Sequence, residues 1–177
     1  KLFLQMNVLS KGHLIEAERA DLVGEYIGHT AQKTRDLIKK AIGGILFIDE
    51  AYSLARGGEK DFGKEAIDTL VKHMEDKQHE FVLILAGYSK EMEHFLSLNP
   101  GLYSRFPLVI DFPDYSVDQL MEISAKMMVE REYVFSPEAE RKLREHLLAV
   151  KMDSYPGKFS NGRYVRNIIE KSIRTQA

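Results

Sequence analysis

Four apolar residues followed at once by two acids decide the fold class. Residues 45–50 read Ile-Leu-Phe-Ile-Asp-Glu. A short, continuous apolar run of this kind is typical of a strand that is buried on both faces in a parallel sheet. The run Phe81–Ala86 predicts a second such strand, and apolar residues at helical spacing lie between the two. The pattern therefore predicts an α/β fold built on a parallel sheet.

The chain alternates strand and helix up to about residue 113 and is helical beyond it. Shorter strands are predicted at His13–Ala17 and Leu108–Asp111. After Pro113, a capping box at residues 116–119 and a Ser-Pro pair at 136–137 each open a helix. A last helix follows Asn161-Gly162. We expect an α/β domain over residues 1–113 and a small all-helical lid over residues 114–177.

Composition narrows the classes of function. The 177 residues suit one domain, or one domain with a small lobe. A net charge of −2 argues against bulk affinity for nucleic acid or for a membrane surface. The chain has no Cys, which excludes disulfides and thiolate chemistry and is consistent with a cytoplasmic protein. It starts at Lys1, and Leu2, Phe3 and Met6 are spaced like the buried face of a helix. We interpret the chain as part of a longer protein.

Asp49 and Glu50 are the strongest candidates for chemistry. They follow a predicted central strand, and open α/β sheets bind their ligands at the carboxyl ends of the strands. In nucleotide hydrolases this arrangement is the Walker B motif. Asp49 would hold Mg²⁺ through water, and Glu50 would polarise the attacking water. The alternative is a buried strand that simply ends in charged residues.

A phosphate-binding loop would be expected beside a Walker B strand, and the sequence has one near match. Residues 58–65 read Gly-Glu-Lys-Asp-Phe-Gly-Lys-Glu. Glu65 stands where a hydroxyl is needed, two acids would repel phosphates, and no strand precedes the loop. We interpret it as a solvated loop that leads into the next helix.

Three further segments could act on a nucleotide or a polypeptide. Arg105 follows a turn signal, where an exposed guanidinium could reach the phosphates bound by a neighbouring subunit or simply pair with a nearby acid. Tyr26, flanked by Gly24 and Gly28, could project from a loop tip to grip a polypeptide or could pack into its own domain. Arg163 opens the last helix and could point back to a nucleotide or remain solvated.

The order of these segments resembles that of an AAA+ ATPase. Within that family, the wording of four stretches is similar to the CbbX/SpoVK branch. They are residues 45–54 (ILFIDEAYSL), 85–88 (LAGY), 99–102 (NPGL) and 111–115 (DFPDY). The resemblance covers essentially the whole chain. It implies a parallel α/β core that lacks its first strand and its phosphate-binding loop, followed by a helical lid.

The resemblance also implies a role for each candidate residue. Asp49 and Glu50 match the Walker B pair, with Asp49 as the Mg²⁺ ligand through water. Arg105 matches the arginine finger that acts on the next subunit's nucleotide. Tyr88 stands at the sensor 1 position, where many members of the family have Asn. Arg163 matches sensor 2.

The same resemblance implies partners and an activity. Tyr26, Ile27 and Gly28 match the pore loop that pulls on a protein substrate through a hexameric ring. ATP and Mg²⁺ are the implied cofactors, and neither a nucleic acid nor a membrane is an implied partner. The implied role is related to sporulation, with Rubisco-activase-like remodelling as an alternative. A catalytically silent scaffold and a DNA-handling protein are the rival classes. Without the first strand and the phosphate-binding loop, we expect this chain alone to bind ATP poorly and not to hydrolyse it.

Overall fold

Two compact units make up the chain. The computed structural model describes residues 2–26, 28–57, 61–76, 80–98, 100–153 and 160–176. The α/β unit is Lys1–Ile110, and the helical unit is Asp111–Ala177. Each has a hydrophobic core of its own.

A three-stranded parallel sheet forms the centre of the α/β unit. Its strands are β1 (Leu14–Ala17), β2 (Ile45–Ile48) and β3 (Val82–Leu85), in the order β1-β2-β3. The predicted strands in these three places are confirmed, and β2 is the central one. Only one face of β2 is fully buried: Leu46 and Ile48 are inaccessible, whereas Ile45 and Phe47 are half-buried. The prediction of burial on both faces is therefore wrong for this unit.

Six helices accompany the sheet in the described part of this unit. They are α1 (Leu2–Gln5), α2 (Arg19–Leu22), α3 (His29–Ala41), α4 (Gly63–Asp76), α5 (Ser89–Ser97) and α6 (Pro100–Arg105). A short 3-10 helix, Ala51–Ala55, follows the acids after β2, and we call it the 3-10 turn. Fully or almost fully buried apolar side chains from the strands, helices and 3-10 turn share one core: Leu22, Ile38, Leu46, Ile48, Leu54 and Phe95.

Gly43 aligns the amino ends of the three strands. It ends α3 with φ of +84°, a conformation that side chains with a Cβ rarely adopt. Its carbonyl accepts hydrogen bonds from Lys11 and Gly12, each at 2.8 Å, just before β1. Its amide donates to the carbonyl of Glu80 at 2.7 Å, just before β3. One residue thus fixes where all three strands begin, and hence where they end.

The predicted strand at Leu108–Asp111 is wrong, because this segment has no strand partner in the structure. Leu108 and Val109 are 76% and 77% exposed. A strand needs a neighbour to take its backbone hydrogen bonds. The outer edge of β3 has no strand beside it among the described residues. The segment therefore has the apolar pattern of a strand but lacks the neighbouring strand with which it would have to pair.

The amino-terminal helix also departs from its predicted burial. Leu2 and Met6 are 65% and 61% exposed, and α1 contains no buried residue. Its apolar residues have the spacing of a packed face, but none of the described elements covers that face. The prediction that these residues are buried is therefore wrong for this structure.

Three helices form the helical unit: α7 (Val117–Val129), α8 (Pro137–Asp153) and α9 (Asn161–Gln176). The predicted capping box is confirmed, with Gln119 N donating to Ser116 Oγ at 3.2 Å and Ser116 N to Gln119 Oε1 at 2.8 Å. At the start of α8 a single bond forms the cap, with Ala139 N donating to Ser136 Oγ at 3.2 Å. Of the helices that the structure describes, none combines the length and the apolar character needed to cross a membrane.

We expect the open edge of β3 to make this chain self-associate, because unpaired strand edges and exposed apolar segments invite pairing. Replacing Ile84 and Val109 with Lys should reduce this association without lowering the melting temperature, since both side chains are exposed. Sedimentation velocity over a range of concentrations measures the effect. The matched control is Val134→Lys, an 87% exposed position in the helical unit, which should leave association unchanged. A parent chain that stays monomeric at every concentration would contradict the prediction.

Candidate functional site

Asp49 and Glu50 lie where the carboxyl ends of the three strands meet. The amide of Asp49 donates to the carbonyl of Ala17 at the end of β1, at 3.0 Å. The amide of Ala51 donates to the carbonyl of Ala86 after β3, also at 3.0 Å. Both acids are exposed. The sheet therefore fixes the backbone on either side of the acids, and their side chains remain exposed.

Glu50 has a strained backbone. Its φ and ψ are both 45°, in the left-handed region that residues with a Cβ avoid. Such a conformation costs about 1–3 kcal/mol and persists only where the surroundings hold it. Two local bonds help to hold it: Glu50 N donates to Asp49 Oδ1 at 2.9 Å, and Ser53 N donates to the carbonyl of Glu50 at 2.7 Å. The strain lies at the residue predicted to polarise water.

An acid-rich cleft of about 740 Å³ lies at this edge of the sheet. Its lining includes both acids together with Glu18, Arg19, Lys33 and Ser53. The cations do not face the cleft unpaired. Lys33 Nζ donates to the carbonyls of Ala20 and Val23, and the Arg19 guanidinium is bound as described below. The carboxylates therefore dominate the cleft, which favours a cation over a free phosphate.

The donor set at the acids fits Mg²⁺. Mg²⁺ keeps several waters and is usually bound by one or two protein carboxylates together with substrate phosphates. Asp49 and Glu50 offer two carboxylates. Within the described ranges, no group of three or more potential metal-ligating side chains is present. The arrangement suits an ion that is bound partly by the protein and partly by a ligand, and not an ion that protein side chains alone surround.

Two tyrosines connect the acid pair to the end of β3. The ring of Tyr52, two residues after Glu50, lies 6.3 Å from the ring of Tyr88. Burial raises the pKa of the Tyr52 phenol, and the negative charge of Glu50 raises it further. The guanidinium of Arg56 lies 4.7 Å from the centre of the Tyr52 ring, a cation–π contact. Tyr88 itself is 60% exposed. The charge of Glu50 therefore affects Tyr52, whose ring lies beside that of Tyr88 at the predicted sensor 1 position.

Arg105 lies at the end of a helix and not in the predicted turn, and of the two alternatives for its side chain the structure shows pairing with a nearby acid. It is the last residue of α6, and its side chain is only 26% exposed. One guanidinium nitrogen donates to the carbonyl of Gly101 at 2.7 Å, and another is paired with the carboxylate of Glu75. Its Nε is buried and has no hydrogen-bond partner among the described residues. In this conformation Arg105 is bound within its own unit.

The predicted loop residue Tyr26 is 66% exposed and follows α2. Its ring makes an edge contact with His29, with 5.5 Å between the ring centres. Gly28 has φ of +83° and precedes α3, and Ile27 lies outside the described residues. Arg163 is exposed in the first turn of α9, in the helical unit. Gly24 and Glu25, just before Tyr26, line the acid-rich cleft together with Asp49 and Glu50. Arg163 belongs to the helical unit, so the α/β unit by itself does not include it.

The rejected phosphate-loop match has a structural role in its described part, Asp61–Glu65. Gly63 N donates to Asp61 Oδ1 at 2.7 Å, so this amide is not free for a phosphate. A Cβ on Gly63 would lie 1.9 Å from the carbonyl oxygen of Leu54, which explains the glycine by close backbone packing. Residues 58–60 lie outside the described ranges.

Sequence reasoning missed the ion pair between Arg19 and Asp61. Arg19 Nη2 donates to both carboxylate oxygens of Asp61, at 2.6 and 2.8 Å, and Nη1 donates to the carbonyl of Ser53 at 2.6 Å. Burial by itself would raise the pKa of Asp61, but the Gly63 amide and the Arg19 guanidinium outweigh it and lower that pKa. The partners are 42 residues apart, so no local motif marks them.

We expect Asp61→Asn to destabilise the α/β unit in a pH-dependent way. At about pH 7 the free energy of unfolding should fall by about 1–3 kcal/mol, the usual contribution of hydrogen bonds to a charged group. The folded pKa of Asp61 lies below its ordinary value of 3.8, so the carboxylate stabilises the fold above that value. This contribution is lost as the pH falls through the folded pKa.

Urea titrations of parent and variant between about pH 7 and pH 3 measure this difference. The control is Asp111→Asn, an exposed position, for which no such difference is expected. A difference between Asp61→Asn and the parent that stays constant down to the lowest pH would contradict the prediction.

Comparison with known proteins places both units in one family. Residues 4–114 match the ATPase family associated with various cellular activities (AAA), and residues 116–177 match the AAA lid domain. Stage V sporulation protein K of Bacillus subtilis (strain 168) is 81% identical over 177 residues, which cover 100% of this chain and 55% of the relative. Protein CbbX of Cereibacter sphaeroides is 44% identical, covering 99% and 56%. A Protein CfxQ homolog of Trieres chinensis is also 44% identical, covering 99% and 60%.

The chain thus spans little more than half the length of these curated relatives. The family matches cover the α/β unit, with its acid pair after a central parallel strand, and the helical unit that follows it. On these grounds, the chain belongs to the AAA ATPase family.

Proposed function

We propose that this chain provides the water-activating edge of an ATP-hydrolysing AAA+ protein that remodels other proteins. One observation carries the proposal: Asp49 and Glu50 follow the central strand of a parallel sheet and open onto an acid-rich cleft. That is where α/β sheets bind their ligands. The family membership supports the nucleotide as ligand.

Asp49 and Glu50 have different tasks in this proposal. Mg²⁺, when bound with ATP, neutralises charge on the phosphates. Asp49 would hold that ion through water, with one carboxylate oxygen already oriented by the amide of Glu50. Glu50 would orient the attacking water and accept its proton, from a backbone position in a strained, left-handed conformation. Tyr88, as sensor 1, would respond to changes at the acid pair, because its ring lies beside that of Tyr52.

Arg105 and Arg163 would complete the nucleotide site. As an arginine finger, Arg105 would act on the nucleotide of the neighbouring subunit, which requires its guanidinium to leave the carboxylate of Glu75. Arg163 would contact the phosphates from the lid, as sensor 2. The role of Arg105 requires a neighbouring subunit, in keeping with a hexameric ring.

The segment Tyr26–Gly28 would form the pore loop. An exposed aromatic ring on a loop with a left-handed Gly28 suits a surface that grips an extended polypeptide. The identity with Stage V sporulation protein K supports a role in sporulation for the whole protein.

The first test replaces Glu50 with Gln in the full-length protein. We expect ATP turnover to fall at least about 100-fold, the usual contribution of a general base, while the Kd for Mg-ATP stays within about threefold. The matched control is Glu93→Gln, an exposed position on α5, which should keep parental turnover. Turnover is measured by phosphate release and binding by calorimetry.

Two outcomes would contradict the proposal. Full turnover in the Glu50→Gln variant would refute the water-activating role. A parent protein that forms rings but hydrolyses no ATP would favour the silent scaffold instead.

The second test concerns the loop. Tyr26→Ala in the full-length protein should spare ATP binding and abolish remodelling of its protein partner, because the gripping ring is lost. Tyr26→Phe is the matched control, since it keeps the ring and its edge contact with His29. Unfolding of a bound partner, followed by its fluorescence, gives the readout. Normal remodelling by Tyr26→Ala would refute the pore-loop assignment.

A further inference from the structure

Arg19 joins two segments that carry different parts of the proposed activity. It is the first residue of α2, which leads to the Tyr26 loop. Its guanidinium crosses to the 3-10 turn, where Nη1 donates to the carbonyl of Ser53 at 2.6 Å. The Arg19 side chain is 32% exposed and the Asp61 side chain only 12%, so solvent screens this contact weakly.

The 3-10 turn is the support of Glu50. The left-handed backbone of Glu50 is strained, and a strained conformation persists only where the neighbouring structure holds it. The 3-10 turn is the neighbouring structure on the carboxyl side of Glu50. The turn has an internal bond from Ser53 N to the carbonyl of Glu50. Arg19, on α2, donates to the carbonyl of that same Ser53. A shift of Arg19 therefore acts on the turn at the residue that bonds directly to Glu50.

On its other side, Arg19 belongs to a segment that is fastened to α3. Lys33 Nζ donates to the carbonyls of Ala20 and Val23 at 2.5 and 3.3 Å. Buried Thr34 donates to the carbonyl of Leu22 at 3.1 Å, and buried Thr30 accepts from the amide of Gly24 at 2.9 Å. These contacts make α2 and the base of the Tyr26 loop one body with the first turns of α3. Movement of that body carries Arg19 with it.

Asp61 keeps the guanidinium in place. It accepts two bonds from Arg19, and its Oδ1 also accepts the amide of Gly63 at the start of α4. Bidentate pairing of this kind fixes the plane of the guanidinium as well as its position. Gly63 cannot move toward the turn, because a backbone carbonyl of that turn already lies against it. Arg19 is thus held at a fixed point between three segments.

We propose that Arg19, held by Asp61, is a positioning residue for Glu50 and links the turn that supports Glu50 to the base of the Tyr26 loop. The proposal rests on the proposed function, because it assigns Glu50 the task of orienting water. It adds a set of contacts through which a displacement of the Tyr26 loop would change the position of Glu50. The rival interpretation is an ion pair that only stabilises the fold.

The first experiment uses the 177-residue chain and needs no activity. In Arg19→Gln, the amides of Ser53 and Arg56 should exchange with deuterium at least about tenfold faster, since both belong to hydrogen bonds of the 3-10 turn. The matched control is Arg131→Gln. Arg131 also bonds a carbonyl and a carboxylate, those of Met127 and Glu170, each at 3.3 Å, but in the helical unit. It should leave exchange in the turn unchanged. Unchanged exchange in Arg19→Gln would overturn the proposal.

The second experiment separates positioning from stability in the full-length protein. Arg19→Gln should lower kcat for ATP about 10- to 100-fold per folded molecule, the usual cost of a misplaced catalytic group, and leave KM within about threefold. Arg131→Gln should keep the parental kcat. If Arg19→Gln does not fold, Asp61→Asn takes its place, because it releases the guanidinium that Asp61 holds in position. Its kcat should fall in the same direction, and a parental kcat would overturn the proposal.

The double variant Arg19→Asp with Asp61→Arg decides between the two interpretations. It restores an ion pair, but Asp at position 19 cannot donate to the carbonyl of Ser53. Because Arg at position 61 cannot accept the amide of Gly63, we expect the melting temperature to recover only in part relative to Arg19→Gln, while kcat stays low. Recovery of kcat together with the melting temperature, or a kcat of Arg19→Gln within twofold of the parent, would overturn the proposal. Glu50→Gln in the same assay tests the proposed function separately, because its failure does not depend on Arg19.

Discussion

The parallel hydrogen-bond ladders on both sides of β2 are the constraint on which the rest of the structure depends. They place Leu14, Ile45 and Val82 in register at one edge and Ala17, Ile48 and Leu85 at the other. Every strand has only four residues. If β2 shifted by one residue, the acids after it would be displaced along the sheet, and the side chains of its buried face would turn to the opposite face. Gly43 prevents such a shift by bonding to the segments that precede both neighbouring strands. The position of Asp49 and Glu50 follows from this alignment.

The site is held by contacts of a different kind from those that hold the sheet. Backbone bonds fix Asp49 to β1 and Ala51 to the end of β3, whereas side chains hold what lies beyond. Arg19, Asp61 and Lys33 are each engaged with protein groups, so the charge left open in the cleft is negative. A cleft of this kind needs a cation before it can accept phosphates. That requirement agrees with the dependence of AAA ATPases on Mg²⁺.

The sequence was sufficient where local pattern and tertiary surroundings agree. The strands β1, β2 and β3, the helix between β2 and β3 and the capping box of α7 could all be predicted, because apolar period and capping residues act over a few positions. The predicted strand at Leu108–Asp111 failed because pairing depends on a neighbour that the segment itself does not encode. For Arg105 the sequence allowed either an exposed guanidinium or a pair with an acid, and it could not identify the acid, because Glu75 lies thirty residues earlier. The Arg19–Asp61 contact was missed for the same reason.

The left-handed backbone at Glu50 has a consequence for how such a site persists. Glycine would adopt that conformation without steric cost, so a chain selected for stability alone would gain about 1 kcal/mol by giving up the glutamate. The backbone conformation therefore disfavours, by a small margin, the residue that we propose to orient water. Protein engineers who rank substitutions by stability would be drawn to this position first. A glutamate at this position is better explained by its proposed role in orienting water than by any contribution to folding.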